Sequence, residues 1–442
     1  MGQEQTNCGH TGNYERNARL PIRYKTCLMF AYIIALVVQS AIRLRLQLYV
    51  GRTSGSVSTN TVMFDVVVVG LGGVGSFCLR ALSKRGLKVA GIERFRRLHD
   101  QGSSHGGSRI YRKAYFEGSM YVPWIQYSEQ VFRELDETLV ENCGTLIIEE
   151  PGGPLINACS RSAELFDICT EHLTNADLQH RYPQFRLVSD DTVGLLEPGG
   201  GFIRPENAMK VALNDAESNG AKIFEEVIVD QLKEVDNYVE LHTIQNKSPG
   251  MMQAKSVVVA SGSWTSDLVS SWSGYLQATR QLQAWIDVGD SAAYMPSNFP
   301  TWCMSTPNHP LTLYGVPKDP RSDTPTWIKL GLHGRDIPVN PCHASPHLVS
   351  IERRELLDAA RLSLTCEPDF ALAKPCLYTM SRDGHFILGR PSEFNRVAAA
   401  AGLSGHGFKM APALGQILAD LILDEDFDKW NAGPLSPTRF DI

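Results

Sequence analysis

The 442 residues predict an α/β protein whose dinucleotide-binding domain is interrupted twice by a second, more β-rich domain. Three observations predict it. FDVVVVG, from Phe64 to Gly70, is a short β-branched apolar run of the kind a buried parallel strand needs. GLGGVG and SFCLRALSKRG then read as a tight turn and a helix, and LKVAGIER as a second strand, which completes a βαβ unit. The last 70 residues return to the same character with FILG, VAAAAG and an apolar terminal helix from Pro412 to Leu423. Between them lie aromatic-rich strands and Pro-rich loops, as in LTLYGV and TWIKLGLHG. The expected division is an extension over 1–62, a discontinuous first domain over 64–145, 205–275 and 372–430, and a second domain over 146–204 and 276–371.

The spacing Gly70-x-Gly72-x-x-Gly75 opens a helix directly after a strand. The first glycine permits the tight turn, the second lets backbone approach a pyrophosphate, and the third lets helix and strand pack closely. The helix N-terminus offers free N–H groups and positive dipole to phosphates. Glu93 ends the second strand, placed to accept hydrogen bonds from a ribose 2′-hydroxyl. A chain that revisits this domain at its end, bringing Cys376, a Gly-rich turn at Gly405–Gly407 and Lys409, reads as a flavoprotein rather than a simple nicotinamide dehydrogenase.

Composition narrows the classes. Apolar residues make up 43% and charged residues 20%, ordinary for a globular enzyme, and the net charge of -6 gives no general attraction to nucleic acid. The ten cysteines form no C-x-x-C, so neither a zinc ribbon nor a disulfide framework is expected. The cluster Cys342, His343 and His347 reads as a solvated loop, and no metal is expected. Residues 1–62 carry seven Lys or Arg against two Glu, a net +5 against -11 for the remainder. They contain the apolar run Leu28–Ile42, fifteen residues where a span needs about 20. That run fits a signal peptide or anchor, so membrane contact stays open; Met63, directly before the first strand, leaves open a dispensable extension instead.

Five motifs resemble the monomeric sarcosine oxidase family, which includes N-methyltryptophan oxidase and the pipecolate and saccharopine oxidases. They are GLGGVG, SSHGGSRIYRKAYFEG, LYGVP with KLGLHG, CLYTM-x4-HF, and GLSGHGFKMAPALG, and the likeness runs from about Phe64 to Leu423. It implies a Rossmann-like, two-dinucleotide-type FAD domain, a mixed-sheet substrate domain, FAD held covalently through its 8α carbon by Cys376, and a monomer. It further implies that Arg112 and Lys409 hold a substrate carboxylate. Arg109, Ser104, His406 and the backbone of Gly405 and Gly407 lie along the cofactor. Tyr314, His333 and Tyr378 line the substrate cavity, and Lys329 assists the reaction with O2.

The implied reaction takes a secondary or N-alkylated amino acid of the sarcosine, pipecolate or saccharopine type to an imine through flavin N5, with O2 reduced to H2O2. A dehydrogenase using another acceptor, an oxidase of a bulkier biosynthetic intermediate, and a non-catalytic, membrane-tethered flavin-binding module remain as alternatives. Departures from the family pattern are Lys113, Ser108, and the segment Trp285–Trp302, whose tryptophans with Tyr314 are expected to build a larger aromatic pocket. The chain ends RFDI rather than in an SKL-type tripeptide, so cytoplasm and peroxisome, the family's compartments, both stay open.

Overall fold

In the computed structural model the described residues are 63–187, 189–307 and 309–440, so the Leu28–Ile42 segment lies outside them. Three sheets organise the chain. The first, of eight strands, is built on Met63–Val69, which pairs in parallel with Val89–Ile92 on one side and Ser248–Val259 on the other. The run predicted as a buried strand is one: Val66, Val67 and Val68 are sealed on both faces. The same sheet takes back the chain's end. Val397–Ala401 lies parallel to Val257–Val259, and Ile387–Gly389 pairs with it antiparallel.

The second eight-stranded sheet is mixed. Its order is Phe370–Ser381, Leu276–Asp287, Trp327–His333, His309–Val316, Thr301–Thr306, Thr145–Glu149, Val193–Glu197 and Glu171–Leu173. The Thr301–Thr306 and Thr145–Glu149 pair is parallel and the others are antiparallel. A three-stranded sheet joins Arg109–Tyr111, Gly201–Ile203 and Val140–Asn142. Helices Gly73–Ser83, Val122–Leu135, Pro205–Ser218 and Ala411–Ile422 pack on the first sheet through Phe77, Leu79, Phe132, Leu213 and Leu414.

Two features set the geometry of the site. At the first turn Gly70 has φ +90°, and a Cβ on Gly75 would stand 1.8 Å from the Gly70 carbonyl oxygen. Only glycine permits that approach of helix to strand. Secondly, the strand that carries Cys376 runs beside Leu276–Asp287, with Cys376 opposite Gln281. Among the described residues, no helix is long and apolar enough to cross a membrane.

Gly75→Ala is expected to destabilise the fold by about 3 kcal/mol, because the clash is with backbone rather than a movable side chain. A thermal unfolding midpoint equal to the wild type's would contradict this.

Candidate functional site

One cavity of about 490 Å³ reaches from the first turn to the second sheet. At one end Gly70, Gly72 and Val74 open onto it together with the start of helix Gly73–Ser83, whose first turn carries no acidic side chain. Ser104 Oγ accepts from the Gly73 N–H at 3.1 Å, and Glu93, almost fully buried, accepts from the N–H groups of Leu71 at 2.9 Å and Phe95 at 3.0 Å. This narrow glycine cradle, with its positive helix end and one fixed carboxylate, fits the pyrophosphate and ribose of a dinucleotide. At the other end Cys376, Tyr378, Gly405 and Lys409 converge. A Cβ on Gly405 would strike the Tyr378 ring at 2.2 Å, so the turn lies directly against that ring. FAD, in short, would run between the two ends, held by residues that fit it.

The middle and far end of the cavity are dense in buried charge. Lys329, 4% exposed, donates from Nζ to the carbonyls of Gly106 at 2.9 Å and Ser108 at 3.2 Å. Burial foremost, and then the Arg109 guanidinium, lowers its pKa to about 7. Arg109 itself donates to the carbonyls of Ser103, His105 and Ser108, tying the loop that brings Ser104 to the cradle. His105 is pushed down to about 3 by burial, with Arg109 adding to the effect, and so is neutral. Among the described residues neither His105 Nε2 nor the buried Gln283 Nε2 has a hydrogen-bond partner.

Arg112, 3% exposed, donates to Glu117 at 2.5 Å and to the Ala114 carbonyl at 2.8 Å, and its guanidinium lies 3.8 Å from the Phe116 ring centroid. Burial alone would raise the Glu117 carboxyl, but the Arg112 charge outweighs it and holds the group at about 2. Lys409, 8% exposed, is lowered to about 8 by burial, opposed by Glu117 and reinforced by Arg112. Burial also lowers His333, whose ring centroid is 5.7 Å from that of Tyr378, and raises the Tyr314 hydroxyl and the Cys376 thiol.

Of the sixteen site residues read from the sequence, fifteen line this cavity; Gly75 stands behind it, packed on Gly70. Both ring nitrogens of His406 already have protein partners, Tyr115 Oη and the Gly384 carbonyl. The expected aromatic enlargement is corrected. Trp302, 1% exposed, is core, packed edge-on against Phe185, and Trp285 lies under Lys329 outside the cavity lining. For Trp302 strand alternation explains it: Cys303 and Tyr314, register partners, are on the cavity face, whereas Trp302 is paired with Gly315 and points away. Glu117, Tyr115, Phe116 and Cys303 were not singled out in the sequence. Glu117 had a signal, a carboxylate five residues from Arg112 in the same loop; a tyrosine or a lone buried thiol has none.

A family model described as FAD dependent oxidoreductase matches residues 65–421, and the chain belongs to that family. The monomeric sarcosine oxidase of Streptomyces avermitilis is 30% identical over 370 residues, covering 81% of this chain and 94% of that protein. The N-methyl-L-tryptophan oxidase of Yersinia pestis is 29% identical over 362 residues, covering 80% and 94%. The resemblance read from the five motifs therefore holds. Among solved structures, NikD, an unusual amino acid oxidase essential for nikkomycin biosynthesis, superposes with a TM-score of 0.74 at 23% identity, covering 85% of this chain and 98% of that one. Glycine oxidase from Geobacillus kaustophilus gives 0.71 at 19% identity, covering 86% and 99%. These two likenesses speak to the fold.

Because Lys329 has a pKa lowered below its unfolded value, the unfolded chain binds the extra proton between about pH 7 and 10, and stability rises with pH across that window. Between about pH 7 and 9 the wild type is expected to gain roughly 2 kcal/mol more than Lys329→Met. Thermal unfolding against pH measures it; parallel curves for the two proteins would refute the buried-charge assignment.

Proposed function

We propose that the chain is an FAD-dependent oxidase of a secondary or N-alkylated α-amino acid. The observation that carries the reading is that Arg112 and Lys409, almost 300 residues apart in sequence, are buried in the same cavity as Cys376, Tyr314 and His333. Two cations withdrawn from water are costly unless an anion joins them. Glu117 supplies one carboxylate, and an α-amino acid supplies a second. The names of the two curated relatives, oxidases of sarcosine and of N-methyl-L-tryptophan, support the same substrate class.

Bound FAD would supply the redox chemistry, accepting an electron pair and hydrogen from the carbon beside the amine nitrogen and passing electrons on to O2. The chain's own residues do the rest. Arg112 keeps Glu117 and the Ala114 carbonyl and can offer its further N–H groups to the incoming acid group, a charge-assisted contact. Lys409 contributes a second cation to the same cavity. His333, kept neutral by burial, and the Tyr314 hydroxyl would orient the amine without competing for the acid. Near neutral pH Lys329 is divided between charged and neutral forms, so it can hold a proton in the cavity at little cost. Cys376 would hold FAD covalently through its sulfur. The cavity lining includes Phe116, Cys303, Thr312 and Tyr314, two aromatic rings and two small side chains against which the N-alkyl group of an amino acid can pack. A monomer is the assembly proposed, on the name of the Streptomyces relative.

A panel of N-methyl and cyclic imino acids is expected to include at least one that yields equimolar H2O2, with Arg112→Met raising KM about a hundredfold or more. Acid-precipitated wild-type protein should stay yellow while Cys376→Ser releases free FAD. A colourless wild-type precipitate would overturn the covalent link, and no H2O2 from any member of the panel would overturn the oxidase assignment.

A further inference from the structure

Lys409 is held by more than its burial. Its Nζ donates to Tyr115 Oη at 3.2 Å and to the His406 carbonyl at 3.1 Å. Tyr115 Oη lies 2.9 Å from His406 Nδ1, and His406 Nε2 lies 3.1 Å from the Gly384 carbonyl. The direction of each proton follows from what each atom can do. A carbonyl oxygen only accepts, so His406 Nε2 carries the ring proton. Nδ1 is then the bare nitrogen and accepts the single Tyr115 proton; the contact from Tyr115 Oη to the His406 carbonyl is longer, at 3.3 Å. Tyr115 Oη thus keeps its lone pairs for Lys409. Two of the three ammonium N–H groups are committed, and one is left for the cavity that Lys409 lines.

We propose that Tyr115 and His406 are positioning residues that fix Lys409 so that it turns a single N–H to the substrate when charged and a lone pair when neutral. This deepens, and rests on, the reading of Lys409 as a cation for the substrate acid. The neutral form keeps its two N–H groups on Tyr115 and the His406 carbonyl, so deprotonation changes what faces the substrate without moving the side chain. The groups that bias the equilibrium come from several elements: Arg109, Arg112 and Glu117 from the 109–117 segment, Cys303 from Thr301–Thr306, and His333 from Trp327–His333. Burial foremost, and then the balance of these groups, leaves Lys409 at about 8, so both forms occur close to neutral pH. His406, held at about 3 by burial, stays neutral throughout and keeps its tautomer. Gly384 therefore acts on Lys409 through two intervening side chains, by fixing which histidine nitrogen is bare.

The test uses the FAD-loaded full chain with acetate as probe and acetamide as its uncharged control, binding being read from the perturbed flavin absorbance across about pH 6 to 10. Acetate affinity in the wild type should fall about tenfold per pH unit above the Lys409 pKa, and Lys409→Met should abolish that fall. Tyr115→Phe, isosteric and so expected to fold, removes an acceptor that favours the charged lysine. It should shift the midpoint down by about one unit, weakening acetate about twofold at pH 7 and about tenfold at pH 9. His406→Leu should do the same, and His406→Asn should restore binding, since the Asn Oδ1 replaces Nδ1 as acceptor. If Lys409→Met abolishes the pH dependence but Tyr115→Phe and His406→Leu leave midpoint and affinity unchanged, the positioning role is overturned. If Lys409→Met itself changes nothing, the acid-binding reading beneath it falls instead.

Discussion

The cavity is organised by the cost of holding several cations out of water. Arg112, Lys329 and Lys409 are each nearly inaccessible, and an isolated buried charge would be destabilising by several kcal/mol. Each is answered differently. Arg112 has Glu117 at 2.5 Å and two aromatic rings beside it. Lys329 has two backbone carbonyls and a pKa lowered to about 7. Lys409 has a tyrosine, a carbonyl and the more distant Glu117. Lys329 and Lys409 make no direct ion pair of their own, and on the proposed function an incoming anion would supply the missing charge. A site in which every cation had its own carboxylate would be more stable and would bind an acid less well.

Topology makes such a cavity possible. The 103–118 segment carries Ser104, Arg109, Arg112 and Glu117, and follows the first sheet's strand Val89–Ile92. Lys329 and His333 come from one strand of the mixed sheet, Tyr314 from its neighbour, and Cys376 and Tyr378 from the edge strand Phe370–Ser381. The chain then crosses to the first sheet at Val397–Ala401 and leaves Gly405, His406 and Lys409 in the turn before the last helix. No contiguous stretch could surround a flat cofactor in this way; two sheets that exchange strands near the end of the chain can.

Much of this was legible in the sequence. FDVVVVG and GLGGVG specify their strand and turn by local chemistry alone, since a β-branched run between Gly punctuation has few other uses. The terminal helix read from Pro412 to Leu423 was equally clear, and it forms over Ala411–Ile422 with proline in its first turn. Cys376, Arg112, Lys329 and Lys409 could be found only through motifs, as nothing in a single residue's surroundings says which distant segment it will face. The tryptophan error has a plain cause. Strand register decides which side of the sheet a residue occupies, a shift of one residue reverses it, and neither turn length nor composition fixed the register of Thr301–Thr306. Tyr115 and Glu117 lay within a quoted motif but acquire meaning only once Arg112 and Lys409 are seen beside them.

The claim beneath all of this is that the cavity recognises an acid group beside a secondary amine. Anaerobic mixing of the FAD-loaded protein with an N-methyl amino acid and, separately, with its methyl ester isolates that acid group. Rapid bleaching of the flavin by the free acid, and bleaching slower by about a hundredfold or more by the ester, is the expected result. Equal bleaching by acid and ester would contradict it, because Arg112 and Lys409 would then have no part in choosing the substrate.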